Sequence, residues 1–327
     1  MKIKEIWNEQ ESGEPGLLLR RYTAEINPDI YIAFRNPEKQ RCIAIQLDRS
    51  IVLDLSRYSD LTDINLKLIQ NDRNNGKQYF LISLLNNQHQ DVFATLCEDL
   101  ISGIATLKED KKIIKELVSR LGKWKSLFHK AATTGLDPEE QRGLYGELYF
   151  LRKWLSRSDD LYSCVYAWLG PERELRDFQK NDVALEIKTT FGNNHQKIQI
   201  NSERQLDINY LRVLILCHLS LESQQQNGET LNQMVDAVIR LLEIDPEAQT
   251  LFRSKLLLSG YFFHQKALYE TRGYNIRKEI FYTIRDKFPR VEEKDLPKGV
   301  GDLKYSIMLT DFSEYIITDN TAFEMIN

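Results

Sequence analysis

The chain has 327 residues, 42% of them hydrophobic and 28% charged, with a net charge of −4 and a pI near 5.9. That composition supports one elaborated core or two separate ones beneath an ordinary soluble surface. It excludes a generally basic protein that coats nucleic acid, while leaving room for a local basic groove.

Cys42, Cys97, Cys164 and Cys217 form no CxxC pair, and the five histidines show no metal-ligand spacing. Structural zinc and a disulfide framework are therefore not expected, and buried free thiols are. The opening MKIKEIWNEQE has no apolar run, and the longest apolar stretch, 211–219, is broken by Arg212 and His218. A cytoplasmic protein without signal peptide or membrane span is expected.

Residues 17–23, 30–34, 42–47 and 79–84 read as strands, with turn chemistry at Asn36-Pro37 and Asn74-Asn75-Gly76. Over 91–107 the pattern turns helical, as Val92, Phe93, Leu96, Leu100, Ile101 and Ile104 repeat at three and four. A second helix over 109–130 carries seven lysines and arginines between Lys111 and Lys130, by default a solvated face. Residues 1–132 are thus expected to form a β-rich N-terminal module ending in helices.

After a break at Thr133-Thr134-Gly135, Asp137 stands as an N-cap, Pro138 as the first helical residue and Glu139-Glu140 in the first turn. The helix, to about 156, gathers Leu144, Leu148, Leu151 and Leu155 with Phe150 and Trp154, opposite Gln141, Arg142, Arg152, Lys153 and Ser156. Glu147 falls inside the apolar arc. Gly143 and Gly146 are expected to admit a close neighbour.

The stretch 175–190, LRDFQKNDVALEIKTT, reads as a hairpin with strands at 175–179 and 183–189 and a turn at Lys180-Asn181-Asp182. Side chains alternate with period two, so Val183, Leu185, Ile187 and Thr189 share one face and Ala184, Glu186 and Lys188 the other. The preceding strand can bring Asp177 beside them. A buried unpaired charge is costly, so such a cluster calls for a partner or a task.

A turn at Gly192-Asn193-Asn194 leads to a short strand at 197–200, a brief helix at 202–207, a buried strand at 210–219 and an amphipathic helix at 231–242. The expected core, 133–245, runs helix, three strands, helix, strand, helix. Residues 246–258 look helical, and 278–285, 304–309 and 314–318 look like strands, interrupted by Pro289 and Pro297. Residues 246–327 are expected to form a C-terminal α+β extension.

Asp177, Glu186 and the Ile187 carbonyl offer hard oxygens of the kind Mg²⁺ prefers, at about 2.0–2.1 Å in octahedral sets that keep several waters. Mn²⁺ could take its place. Glu147 could hold a water on that cation. Lys188 could orient or help deprotonate an attacking water and stabilise charge developing on a phosphate. The set suits hydrolysis of a phosphodiester. Acid-x-Lys alone carries no weight, since Glu109-x-Lys111, Asp110-x-Lys112 and Glu292-x-Lys294 occur in charge-rich segments. Asp302-x-Lys304 is the serious rival because it leads into a strand, but no helix before it carries an acid in an apolar arc. On the residues alone, a metal site and a structural ion pair both remain open.

GLYGELYFLRKWL, WLGPERELRDF and VALEIKTT resemble the PD-(D/E)XK nuclease superfamily, and more closely a bacterial branch found among restriction and phage-defence genes. The resemblance is strongest over 143–219 and continues into FPRV and LPKGVGDLKYSIML. It implies the restriction-endonuclease-like α/β fold, a mixed central sheet flanked by helices with the site at one edge. Position by position, Asp177 takes the place of the motif aspartate, Glu186 and Lys188 complete the motif, and Glu147 matches the helix acid. Arg176 stands where the motif has proline. Gln205 matches a polar residue that follows the core strands in some nucleases.

The resemblance implies a Mg²⁺-dependent DNA endonuclease of restriction or antiphage defence, working with DNA, as a homodimer or with other proteins of its system. The alternative is a non-catalytic DNA-binding or accessory subunit. Lys180, Lys197, Arg204 and Arg173 are candidate phosphate contacts, although each such charge is more often simply solvated. Trp168 and Pro171 read as packing.

Overall fold

The computed structural model describes residues 2–53, 55, 63–71, 76–132, 135–172, 174–192, 196–225, 227–285, 287–310 and 312–327. Asn74-Asn75, Thr133-Thr134, Arg173 and Asn193-Asn194 lie outside the described residues. The chain divides into two compact units, Met1–Thr134 and Gly135–Asn327.

In the first unit, α1 (Lys2–Gln10) precedes β1 (Gly16–Arg21), β2 (Ile30–Asn36), β3 (Gln40–Asp48), β4 (Ile64–Gln70) and β5 (Lys77–Leu84). The strands form one antiparallel sheet in the order β1-β2-β3-β5-β4. Then come α2 (Gln90–Ile104) and α3 (Asp110–Ala132). Ile3, Ile6 and Trp7, spaced at three and four, bury α1 against the unit. Trp7 stacks on Phe93 with ring centres 5.5 Å apart and donates its indole N–H to the Cys42 carbonyl at 3.0 Å. The polar run NEQ at the end of α1 obscures that helix in the sequence. β4 is likewise an addition to the strands expected.

The second unit begins with α4 (Pro138–Leu155) and α5 (Leu161–Tyr166), followed by β6 (Phe178–Lys180), β7 (Val183–Phe191), β8 (Lys197–Ile200), β9 (Val213–Gln225) and β10 (Glu229–Thr230). Next are α6 (Leu231–Leu241), α7 (Pro246–Leu258), β11 (Arg272–Ile284), β12 (Tyr305–Met308), β13 (Ile316–Ile317) and α8 (Asp319–Ile326). The central sheet runs β10-β11-β9-β7-β6, with β13 paired to β11. Only the β7–β9 pair in it is parallel, so the sheet is mixed. β8 and β12 form a separate two-stranded ribbon.

β7 is buried on both faces, as parallel strands usually are. Val183, Leu185 and Ile187 enter a core with Leu144, Leu148 and Leu151 of α4 and with residues of α6, α7 and α8. Ala184 enters a second core with Leu214, Leu216, Ile198, Ile200 and Ile307. Residues 246–327 belong to the same compact unit, where β11 pairs along the length of β9.

The boundaries differ from the sequence reading in informative ways. The strand expected at 210–219 starts at Val213 and runs to Gln225, because its polar second half is paired with β11. Tyr210 sits before it in the left-handed region (φ 65°), its side chain fully exposed. The brief helix expected at 202–207 is a pair of turns closed by Gln205 N–H to Ser202 O and Asp207 N–H to Arg204 O. At 314–318 only β13 is strand, preceded by a 3-10 turn at Ser313–Tyr315.

Candidate active site

α4 delivers the first acid. Asp137 caps it by accepting the Glu139 and Glu140 N–H groups at 2.8 and 2.9 Å, and Glu140 returns a bond to the Asp137 N–H at 3.0 Å. Capping satisfies N–H groups that the first turn leaves free. Gly146 lets the helix close on the sheet, since a Cβ there would collide with the Thr189 methyl and stand 3.3 Å from Ile187 Cγ2. Gly143 has open space and serves no such approach. One residue past Gly146, Glu147 is carried to the edge of β7.

The hairpin delivers the others. β6 pairs with β7 only through Phe178↔Leu185, Gln179↔Ala184 and Lys180↔Val183, closed by a two-residue connection with Asn181 left-handed at φ 55°. Asp177 therefore lies just before the strand rather than within it. Its carboxylate Oδ2 accepts the Ile187 N–H at 2.6 Å, continuing the ladder where the backbone pairing stops. Glu186 and Lys188 point to the face that Ala184 shares, and Glu147 arrives from the α4 face.

The four side chains form one electrostatic cluster. Glu186 is 2% exposed, and its Oε1 pairs with Lys188 Nζ at 2.9 Å. Lys188 also donates to Gln205 Oε1 at 3.0 Å, and that oxygen accepts the Asn201 N–H at 2.9 Å. Gln205, matched on sequence to a polar position, thus holds the lysine. Burial is the largest influence on Glu147 and pushes its carboxyl up to about 7; the Trp168 hydrogen bond works against it and the Glu186 charge with it. Burial, then the charges of Glu186 and Glu147, also raise Asp177 well above the ordinary carboxylate range. Burial works against the Lys188 ammonium, but its bond to Glu186 and the three negative charges outweigh it and raise its pKa.

Arg176, at the motif's proline position, is 6% exposed and donates to the Leu175 carbonyl at 3.1 Å and the Asp207 carbonyl at 2.6 Å. Its guanidinium adds a second cation near the cluster without bonding an acid among the described residues.

A divalent cation fits this set. Of the three carboxyls only Glu186 bonds the Lys188 ammonium, and Glu186 Oε2 is buried with no hydrogen-bond partner among the described residues. Among the described residues no three His, Cys, Asp or Glu side chains converge on one point. The side chains that remain are two carboxylates, Asp177 and Glu186, whose hard oxygens are of the kind a divalent cation takes.

The rival Asp302-x-Lys304 lies in an exposed segment before β12, with Asp302 left-handed at φ 55°. Lys197 and Arg204 are exposed, Arg204 beside Glu293 at 3.3 Å. Lys180 donates to the Asn327 carbonyl at 2.8 Å and lies over the Trp154 ring.

Trp168 packs on Phe252 with ring centres 5.8 Å apart, as a packing residue would. It does more than pack: its indole N–H donates to Glu147 Oε2 at 2.6 Å. The available signal was that a buried tryptophan must find an acceptor for that N–H.

No helix among the described residues is long and apolar enough to cross a membrane. Over residues 3–310 the chain matches the family described as "Putative PD-(D/E)XK family member, (DUF4420)". No curated protein and no solved structure matches it.

Proposed function

Because the chain belongs to this PD-(D/E)XK family, we propose that it is a metal-dependent DNA endonuclease of bacterial restriction or another antiphage system. One observation carries the reading: Glu186 is buried and bonded through one oxygen to Lys188, its other oxygen is left over, and the half-buried carboxyls of Asp177 and Glu147 lie within electrostatic reach. Asp177, Glu186 and the Ile187 carbonyl would hold Mg²⁺ or Mn²⁺. When bound, such an ion acts as a Lewis acid toward the scissile phosphate.

Lys188 is held between Glu186 and Gln205, so its ammonium has a fixed direction. It orients the attacking water and stabilises charge that develops on the phosphate. Glu147, fixed by the bond from the Trp168 indole N–H, would hold a water on that ion.

The test is incubation of plasmid and phage DNA with the protein in Mg²⁺ or Mn²⁺, in EDTA, and as Asp177→Ala and Lys188→Ala. Cleavage by the wild type should vanish in EDTA and fall by about 10²–10³-fold or more in each variant. DNA binding that the substitutions leave unchanged, with no cleavage by any form, would instead assign an accessory DNA-binding subunit.

A further inference from the structure

The segment 166–172 touches both acids that lie outside β7. Trp168 donates to Glu147, as above. The Leu169 and Gly170 N–H groups both donate to the Asp177 main-chain carbonyl, at 2.7 and 3.1 Å. The Gln179 N–H returns a bond to the Ala167 carbonyl at 2.9 Å. Gly170 passes between the two carboxyls: a Cβ there would run into the Glu147 carboxylate and stand 3.4 Å from Asp177 Oδ1. Yet the segment has little regular structure of its own: the C-cap of α5, an isolated antiparallel bridge from Trp168 to Phe178, and a 3-10 turn at Gly170–Glu172.

Besides these main-chain bonds to 177–179, a lysine from another element holds it. Lys255, on α7, is 3% exposed, in a helix that buries Ala248, Phe252 and Leu256. Its ammonium donates to the Tyr166 carbonyl at 2.9 Å and to the Trp168 carbonyl, and pairs with Glu172 at 2.8 Å. All three acceptors belong to this one segment. An apolar side chain of similar volume is often the more stable occupant of a buried position. Packing alone therefore does not account for a charge here.

We propose that Lys255 is a positioning residue of the acidic site, clamping segment 166–172 and so setting Glu147 through Trp168 and Asp177 through Leu169 and Gly170. Its catalytic consequence rests on the nuclease reading above, whereas the clamp itself can be observed without any activity.

The four tryptophans give four indole N–H signals in the ¹⁵N-labelled protein, and the one lost in Trp168→Phe belongs to Trp168. In Lys255→Met that signal should move, as it does in Glu147→Gln, while the other three stay in place. Amide exchange over 166–177 should quicken by about 10-fold. Glu172→Gln, which removes one partner at a part-exposed position, should move the same signal less, and it serves if Lys255→Met does not fold. A Trp168 signal that Lys255→Met, or in its place Glu172→Gln, leaves unmoved overturns the proposal. Displacement of all four signals does so too, since that is general loosening.

In cleavage assays kcat should fall by about 10- to 100-fold in Lys255→Met, with KM for DNA little changed. A moved signal with unchanged kcat would sever the clamp from catalysis and overturn that part. A wild type that cuts no DNA refutes the nuclease reading, and the indole signal still decides the clamp.

Discussion

Glu147 and Asp177 are enclosed near each other and near Glu186, and this sets how the metal-free protein responds to pH. Both carboxyls titrate above their ordinary values, Glu147 at about 7. An acid raised in the folded state stabilises the fold fully below its unfolded pKa, and that stability is lost as pH rises through the folded value. In EDTA the wild type should therefore lose stability between about pH 4.5 and 7, with Glu147 alone contributing on the order of 3 kcal/mol. Glu147→Gln should remove that part of the slope, and saturating Mn²⁺ should raise the wild-type Tm most at high pH. Urea unfolding of both proteins across this range checks it; parallel curves would refute the assigned cause. Glu147, Asp177, Glu186 and Lys188 could be named from the sequence because strand alternation and a helical arc mark charges on apolar faces. Lys255 could not, because its partner Trp168 lies 87 residues away and nothing periodic links a helix lysine to main-chain carbonyls.

At the scale of elements, α4 was legible from its capping residues and its leucine row, and the hairpin from its turn and alternation. The second half of β9 was not, because Ser220, Glu222 and Ser223 hide a strand whose pairing comes from β11, registered as Leu221↔Ile276 and Ser223↔Tyr274. How closely α4 sits on β7 depends on Gly146 facing the Thr189 methyl. Gly→Ala within a helix ordinarily gains about 1 kcal/mol. Here Gly146→Ala should instead destabilise the protein and weaken Mn²⁺ binding by shifting Glu147 and Ile187. Adding Thr189→Ser, which removes the colliding methyl, should restore most of both. Thermal unfolding and calorimetric titration of the single and double variants decide it, and a Gly146→Ala protein as stable as wild type would show that the fit is loose.

For the whole molecule, the unit Gly135–Asn327 contains all four motif side chains, both cores of the mixed sheet and the Lys255 clamp. A chain of residues 135–327 should unfold cooperatively and bind Mn²⁺ as the full chain does; circular dichroism with calorimetry tests this, and a fragment without a cooperative transition would contradict it. The family match nonetheless runs through both units, from residue 3 to residue 310. The β-rich character of the first unit is legible in its sequence but a task for it is not, because the strands expected at 17–23, 30–34, 42–47 and 79–84 place no acid beside a lysine on an apolar face. In the second unit the turns between β8 and β9 join two parts of the site. Arg176, next to Asp177, holds the Asp207 carbonyl, and Lys188 is held by Gln205 two residues earlier. An insertion of one residue between Gln205 and Asp207 would break one tether or the other. This run of turns also buries Leu206 between the two tethers, so it must keep its length as well as the Gln205 side chain.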